Sequence, residues 1–178
     1  MRILRSLIRR LRGETGSATI EFVILFPFFI GLFASSYEAA FVTMRQAMMD
    51  RAVDIIVRNV RLGIGGTPTP DSLKADICNA AGIIPDCMNS LHIELEVISK
   101  STWAIRTGAV QCIDRDEEIE PAVNFTPGAD NDLMLMTVCA VFEPMVPTTG
   151  LGLKLPKVNG GSYYGLVTIT AFANEPNS

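Results

Sequence analysis

Between Ser17 and Tyr37 the chain carries one charged side chain, Glu21, placed at the lip of the uncharged run Phe22-Val-Ile-Leu-Phe-Pro-Phe-Phe-Ile-Gly-Leu-Phe-Ala34. A carboxylate at the edge of a bilayer costs about 1 to 3 kcal/mol, and more at the centre, so it calls for a cation to meet it. The other residues with chemical potential are few. Cys78, Cys87, Cys112 and Cys139 show no CxxC or Cys/His spacing that suits a metal, and the single histidine is His92. An even cysteine count favours two disulfides in an oxidising compartment, with three pairings open. The run Asp114-Arg-Asp-Glu-Glu-Ile-Glu120 holds five acids but lacks the glycine turn and ligand spacing of a dedicated cation loop. A solvated acidic surface is its expected role. No nucleotide loop, no G-x-S-x-G elbow and no HExxH helix occurs. The expected chemistry is therefore charge pairing and disulfide closure, with no enzyme activity, cofactor or metal.

The charge distribution sets a topology. Residues 1–16 contain Arg2, Arg5, Arg9, Arg10 and Arg12 against Glu14, a net of +4, so with the whole chain at −4 the remainder carries −8. A basic tip on an acidic body argues against nucleic acid as a partner, because phosphate neutralisation needs cations on the folded surface. About 20 apolar helical residues span the hydrocarbon core of a bilayer. With arginines on one flank only, the positive-inside rule places Met1 to Gly16 in the cytoplasm and everything past Tyr37 across the membrane. Leu4, Leu7, Ile8 and Leu11 recur between the arginines, so this arm can also lie on anionic lipid as a short amphipathic helix. All four cysteines fall in the exported part.

The segment Arg12-Gly-Glu-Thr-Gly16-Ser17-Ala-Thr-Ile-Glu21-Phe22 runs from basic residues through a glycine and small residues to a glutamate at the start of the apolar run. It resembles a type IV prepilin leader and, more closely, that of the TadE-like minor pilins of tight-adherence pili. The resemblance implies that a prepilin peptidase cuts between Gly16 and Ser17, leaving Glu21 as the fifth mature residue; a cut after Gly13 puts Ala18 there instead. Such a cut creates a cationic amine on Ser17, four residues from Glu21 on one helix face. In a bundle of such helices, Glu21 can neutralise the amine of a neighbouring subunit and set the axial register. Two other readings of this segment stand beside it: a secretory signal peptide cut after Ala34-Ser35-Ser36, and an uncleaved anchor. The mature N terminus separates them: Ser17, Tyr37 or Met1.

Pro27 removes one hydrogen bond from the apolar helix and is expected to bend it, while Gly31 adds a close-packing point. Past Tyr37 the helical pattern turns amphipathic. Tyr37, Phe41, Met44, Met48, Ala52 and Ile55 form the expected core-facing stripe, with Glu38, Arg45, Gln46, Asp50, Arg51 and Asp54 largely on other faces. The helix is expected to end near Leu62, before Gly63-Ile-Gly-Gly-Thr-Pro68. A shorter helix is predicted from Pro70 or Asp71 to Ala81, with Cys78 in its last turn and Cys87 in the loop beyond. A bridge between those two ties that helix to the next strand.

Leu91-His-Ile-Glu-Leu-Glu-Val97 alternates, with Leu91, Ile93, Leu95 and Val97 assigned to the core and His92, Glu94 and Glu96 to water. Thr102 to Thr107 is a weak strand candidate. Leu133 to Phe142 is apolar on both faces and predicts an interior strand, and Tyr164 to Phe172 predicts the last one. Cys112 and Cys139 can pair if both face one side; otherwise Cys139 is buried and unpaired. The Pro-, Gly- and Thr-rich stretch from Pro144 to Gly161 reads as a hairpin or surface excursion.

The expected fold class is α+β: a long N-terminal transmembrane and amphipathic helix packed on a small antiparallel sheet, pilin-like. Its expected parts are a cytoplasmic basic leader (1–16), a transmembrane segment (17–37), a continuation of the helix (38–62) and a periplasmic head (63–178). The resemblance implies a structural minor pilin of the inner membrane, partnered by prepilin peptidase, other pilins, the assembly platform and the bilayer. The alternative is a membrane-tethered periplasmic module that binds a partner through its acidic loop and forms no filament.

Overall fold

The computed structural model describes residues 17–105, 110–116 and 124–176. Helix α1 (Ser17–Arg61) runs unbroken for 45 residues, passing through Pro27. At 1.5 Å per residue it is about 68 Å long. Its end is built by glycine: Gly63 takes a φ of 66°, while Leu62, Gly63 and Ile64 donate their N–H groups to the carbonyls of Arg58, Val60 and Asn59. Those bonds satisfy carbonyls that the helix leaves open, and Arg58 and Arg61 in the last turn complement its dipole.

Helix α2 (Pro70–Ala81) starts where its capping pattern predicts. The Thr69 hydroxyl accepts the Ser72 N–H at 3.2 Å, the Ser72 hydroxyl accepts the Thr69 N–H at 3.0 Å, and Gly82, with a φ of 60°, closes the other end on the Cys78 carbonyl. One turn, α3 (Cys87–Ser90), leads into the sheet. Strands β1 (Leu91–Ile98), β2 (Leu133–Phe142) and β3 (Tyr164–Ala173) form an antiparallel sheet in that order, with His92 opposite Cys139 and Cys139 opposite Val167. β2 is the interior strand, buried from Met134 to Phe142. The fold is the α+β arrangement of a long helix on a small sheet.

The core lies between the sheet and the second half of α1 together with α2. Met49, Ala52, Val53, Ile56 and Val57 of α1 meet Leu73, Ile77 and Ala81 of α2 and the core-facing residues of the strands. Burying a side chain such as Met49 contributes about 1.5 to 3 kcal/mol. This seam lies one residue round from the stripe expected from sequence. Tyr37, Met44, Met48 and Ile55 are exposed and Phe41 is half-buried, whereas Glu38, Arg45, Met49 and Val53 face the head. Consecutive residues differ by about 100° on a helix, so the two stripes share Ala52 and diverge elsewhere.

The sheet corrects three further expectations. His92 is buried, not solvated, because the segment 110–116 lies across the second face, where the Cys112–Cys139 disulfide holds it and Ile113 and Asp114 are buried. Its Nε2 stands 3.8 Å from Glu94 Oε1. Val97, assigned to the core by alternation, is exposed near the end of β1. The weak strand at Thr102 does not form over 102–105: Thr102 sits in a turn and Trp103 takes a φ of 51°, which an extended ladder does not accept. Residues 106 and 107 lie outside the described ones. The free edge of β1 is met instead by residues 124–126, through Leu95 N–H to the Asn124 carbonyl and Thr126 N–H to the Leu95 carbonyl.

Cys78 is bonded to Cys87 across 9 residues of sequence and Cys112 to Cys139 across 27. The first ties the end of α2 to α3; the second ties the covering segment to the sheet centre. Loop-closure entropy assigns about 2.7 kcal/mol to the shorter ring and about 3.5 kcal/mol to the longer. Urea unfolding of the full chain in detergent is expected to show a loss of about 3 kcal/mol for the Cys112→Ser, Cys139→Ser pair. The same change should expose His92 to water-borne modification, an effect that replacing Cys78 and Cys87 does not produce.

Candidate functional site

The functional geometry lies along α1. Its first half stands clear of the head: from Ala18 to Leu32 every residue is exposed, and Phe33 reaches 73% exposure. Phe22 and Phe26 stack on each other along it, at 4.9 Å between ring centroids. An 18-residue window of the helix averages 2.0 in mean hydropathy and is wholly unburied, long and apolar enough to cross a membrane. An apolar surface of this size left uncovered marks an interaction face or a lipid-facing segment. Ser17 is its first described residue, Glu21 lies just over one turn on, and Pro27 stands mid-run. Gly16, the residue upstream of the expected cut, lies outside the described residues.

At the junction with the head, two charged residues are buried on the core side. The side chain of Glu38 is fully enclosed, and its carboxylate accepts the main-chain N–H groups of Met145 at 3.1 Å and Val146 at 2.8 Å. Arg45, two helical turns on along the same face, donates to the Glu143 carbonyl at 3.2 Å and to the Tyr164 hydroxyl at 2.7 Å. Its guanidinium also lies 4.8 Å over the Phe142 ring. The strap 143–157 that follows β2 is therefore gripped at its start by α1. Its turn is tight: a Cβ at Gly152 would stand 2.5 Å from the Val146 carbonyl oxygen.

Farther along, Gln46 Nε2 donates to the Val167 carbonyl and the Thr168 hydroxyl, and Thr168 Oγ1 donates to Asp50. At the distal end Arg61 pairs with Glu175 at 2.6 Å, and the Arg61 carbonyl accepts the Glu175 N–H. The second half of α1 is thus fastened to strap, last strand and C-terminal tail.

Burial pushes the Tyr164 phenol above its ordinary value, and the hydrogen bond and charge of Arg45 pull it back. A phenol whose folded value is raised contributes stability below the unfolded value of about 10 and loses it as pH climbs through the folded value.

Glu38 and Arg45 are the site residues that sequence reasoning missed. A signal existed: Glu38, Val42, Arg45, Met49, Ala52 and Ile56 are spaced 4, 3, 4, 3, 4, a regular helical seam whose first and third members happen to be charged. The acidic run is likewise not uniformly solvated: Asp114 is buried and accepts the Asp116 N–H, and Asp116 accepts the Ser162 N–H. Glu117, Glu118 and Glu120 lie outside the described residues. Among the described residues no group of three or more acidic, histidine or cysteine side chains could hold a metal ion.

Compared with known proteins, residues 16–58 match the model of the TadE-like protein family, from Gly16 to the last turn of α1. The match takes in both the bare and the fastened halves of the helix; the family suggests a pilus-associated protein, and the helix is a candidate membrane anchor. No curated protein and no solved structure matches the chain.

Replacing Glu38 with alanine leaves two strap N–H groups without their carboxylate; charge-assisted bonds of this kind are worth about 1.5 to 3 kcal/mol. Hydrogen exchange should show protection at Met145 and Val146 falling at least tenfold in Glu38→Ala, with β1 and β2 changed by no more than the global loss of stability. In alkali, Tyr164→Phe is expected to shrink the drop in stability above pH 10, read from denaturant midpoints at pH 9 and 11.

Proposed function

We propose that the protein is a structural minor pilin, without catalytic activity of its own, that is trimmed between Gly16 and Ser17 and takes part in assembling or priming a tight-adherence pilus for surface attachment. The observation that carries this reading is the division of one continuous helix: bare over residues 18–33 and apolar from Phe22, fastened to a head from Glu38 onward. A monomeric head needs only the second half. The first half has the length of a membrane span, about 30 Å for 20 residues, and in a filament the same surface stacks against other subunits. The exposed stripe of Tyr37, Met44, Met48 and Ile55 continues that surface past the bilayer.

In this reading the basic leader stays cytoplasmic, residues 17–37 span the inner membrane, 38–62 continue the helix and 63–178 form the periplasmic head. Oxidation of all four cysteines suits that compartment. Prepilin peptidase, other pilins and the inner-membrane assembly platform are the partners, with the cell-surface pilus as the destination. The new amine on Ser17 of one subunit meets Glu21 of another, so that chemistry at the leader is coupled to register in the bundle. A head of more than 100 residues fits a minor subunit in place of a short, mostly helical major one.

N-terminal sequencing of the mature protein is expected to begin at Ser17. Glu21→Ala is expected to leave membrane insertion and trimming intact while lowering recovery in sheared filaments at least tenfold. A mature chain beginning at Met1 or Tyr37, or a Glu21→Ala variant that assembles like the parent, overturns the reading.

A further inference from the structure

The outer edge of β3 is closed at both ends and open in the middle. Four hydrogen bonds set its phase: Val158 N–H to the Tyr163 carbonyl, Gln46 to the Val167 carbonyl, Glu175 N–H to Arg61, and Asn174 N–H inward to Asp132. In an antiparallel pair successive residues turn their main-chain groups alternately toward and away from the partner strand. Odd-numbered residues of β3 therefore face outward, and even-numbered ones face β2. Gly165 is shielded by the bridge between Lys157 and Tyr164, Val167 by Gln46, and Glu175 by Arg61. Between them Ile169, Ala171 and Ala173 are exposed and present three N–H and three C=O groups that meet no partner among the described residues. This open stretch is about 14 Å long at 3.4 Å per residue. The opposite edge, on β1, is met at Leu95 by residues 124–126.

Beside the opening runs a cleft of about 470 Å³ between β3 and α1, walled by Asp54, Val57, Arg58 and Leu62 on one side and Ala171 and Phe172 on the other. Arg61 at its end is engaged by Glu175, but Arg58 is exposed and has no ion pair among the described residues. The geometry points to a strand-addition site: an extended segment of another exported polypeptide pairs with the main chain of Ile169, Ala171 and Ala173 and turns an acidic side chain toward Arg58. Main-chain pairing supplies the affinity; Arg58, one helical turn beyond Asp54 on the same wall, is the cation that an acidic guest side chain reaches.

A second copy of this chain is a poorer occupant. β3 runs in the same direction as α1, from Tyr164 beside Arg45 to Glu175 beside Arg61. A copy paired antiparallel on the same edge would carry its anchoring helix away from the membrane. This step and the exported character of the guest use the reading of α1 as a membrane anchor; the site itself belongs to the head.

The test uses the full chain in detergent micelles and a capped, dye-labelled heptapeptide, Thr-Val-Glu-Val-Thr-Glu-Thr, followed by fluorescence anisotropy. Two control peptides carry alternate N-methylated amides or lysine in place of glutamate. Saturable binding of the acidic peptide is expected, weakened at least tenfold by N-methylation and by Ala171→Pro. That proline removes an outward N–H that the β2 ladder does not use. Arg58→Glu, a surface change that leaves the core alone, is expected to reverse the preference between the acidic and lysine peptides. Equal binding of the N-methylated peptide, no saturable binding of the acidic one, or a concentration-dependent dimer that excludes the peptide and disappears in Ala171→Pro overturns the proposal. None of these outcomes depends on where the mature chain begins, so the site and the pilin reading can fail separately.

Discussion

Glu38 and Arg45 have both been withdrawn from water, and the strap after β2 supplies what they lost: two main-chain N–H groups for the carboxylate, a carbonyl for the guanidinium, with a phenol from the start of β3 as well. Burying either charge without such partners costs several kcal/mol, so the arrangement exists only when helix, strap and last strand are in place together. That mutual dependence fixes the head at one point on α1, at the end of its bare apolar stretch. Because α1 is continuous, the orientation of the sheet relative to the apolar run follows from this grip and from the distal clasp of Arg61 on Glu175.

One helix thus meets two environments. Residues 22–33 present apolar side chains on every side, as a span in lipid or a bundle requires; from Glu38 the requirement falls to a single seam, and polar residues return to the other faces. Two disulfides fasten the head to itself. The Cys112–Cys139 bond brings a covering segment onto the second face of the sheet, and the Cys78–Cys87 bond holds the short connection into β1. The result is a three-stranded sheet with β1 bordered on its outer side and β3 open over its middle residues.

Much of this architecture was legible in the residue pattern because the signals were long or redundant. The 45-residue helix rests on an unbroken apolar run followed by helical periodicity, and α2 on a capping box with a terminal glycine. The three strands follow from runs of β-branched and apolar residues. What escaped has common physical causes. Alternation in β1 separates two faces but does not say what covers the second, so His92 was assigned to water although a disulfide brings a distant segment over it. Periodicity in α1 was followed through its apolar members, so the seam beginning with Glu38 and Arg45 was passed over for a neighbouring stripe about 100° away. A charged residue joins a core only when distant main-chain groups come to meet it, and local sequence does not encode those groups. The four cysteines left three pairings open for the same reason: their spacing along the chain is not their spacing in space.

The account stands on residues 22–34 being immersed in hydrocarbon while the same helix is held by its own head from Glu38 onward. Single spin labels placed along α1 in liposome-reconstituted full chain, with accessibility to oxygen and to a water-soluble nickel chelate read at each position, test this directly. The account predicts high oxygen and low nickel accessibility from residue 22 to 34, then from residue 38 a periodic pattern with minima for both reagents at 45, 49, 53 and 56. Nickel accessibility throughout residues 22–34, or no periodic protection beyond residue 38, would contradict it.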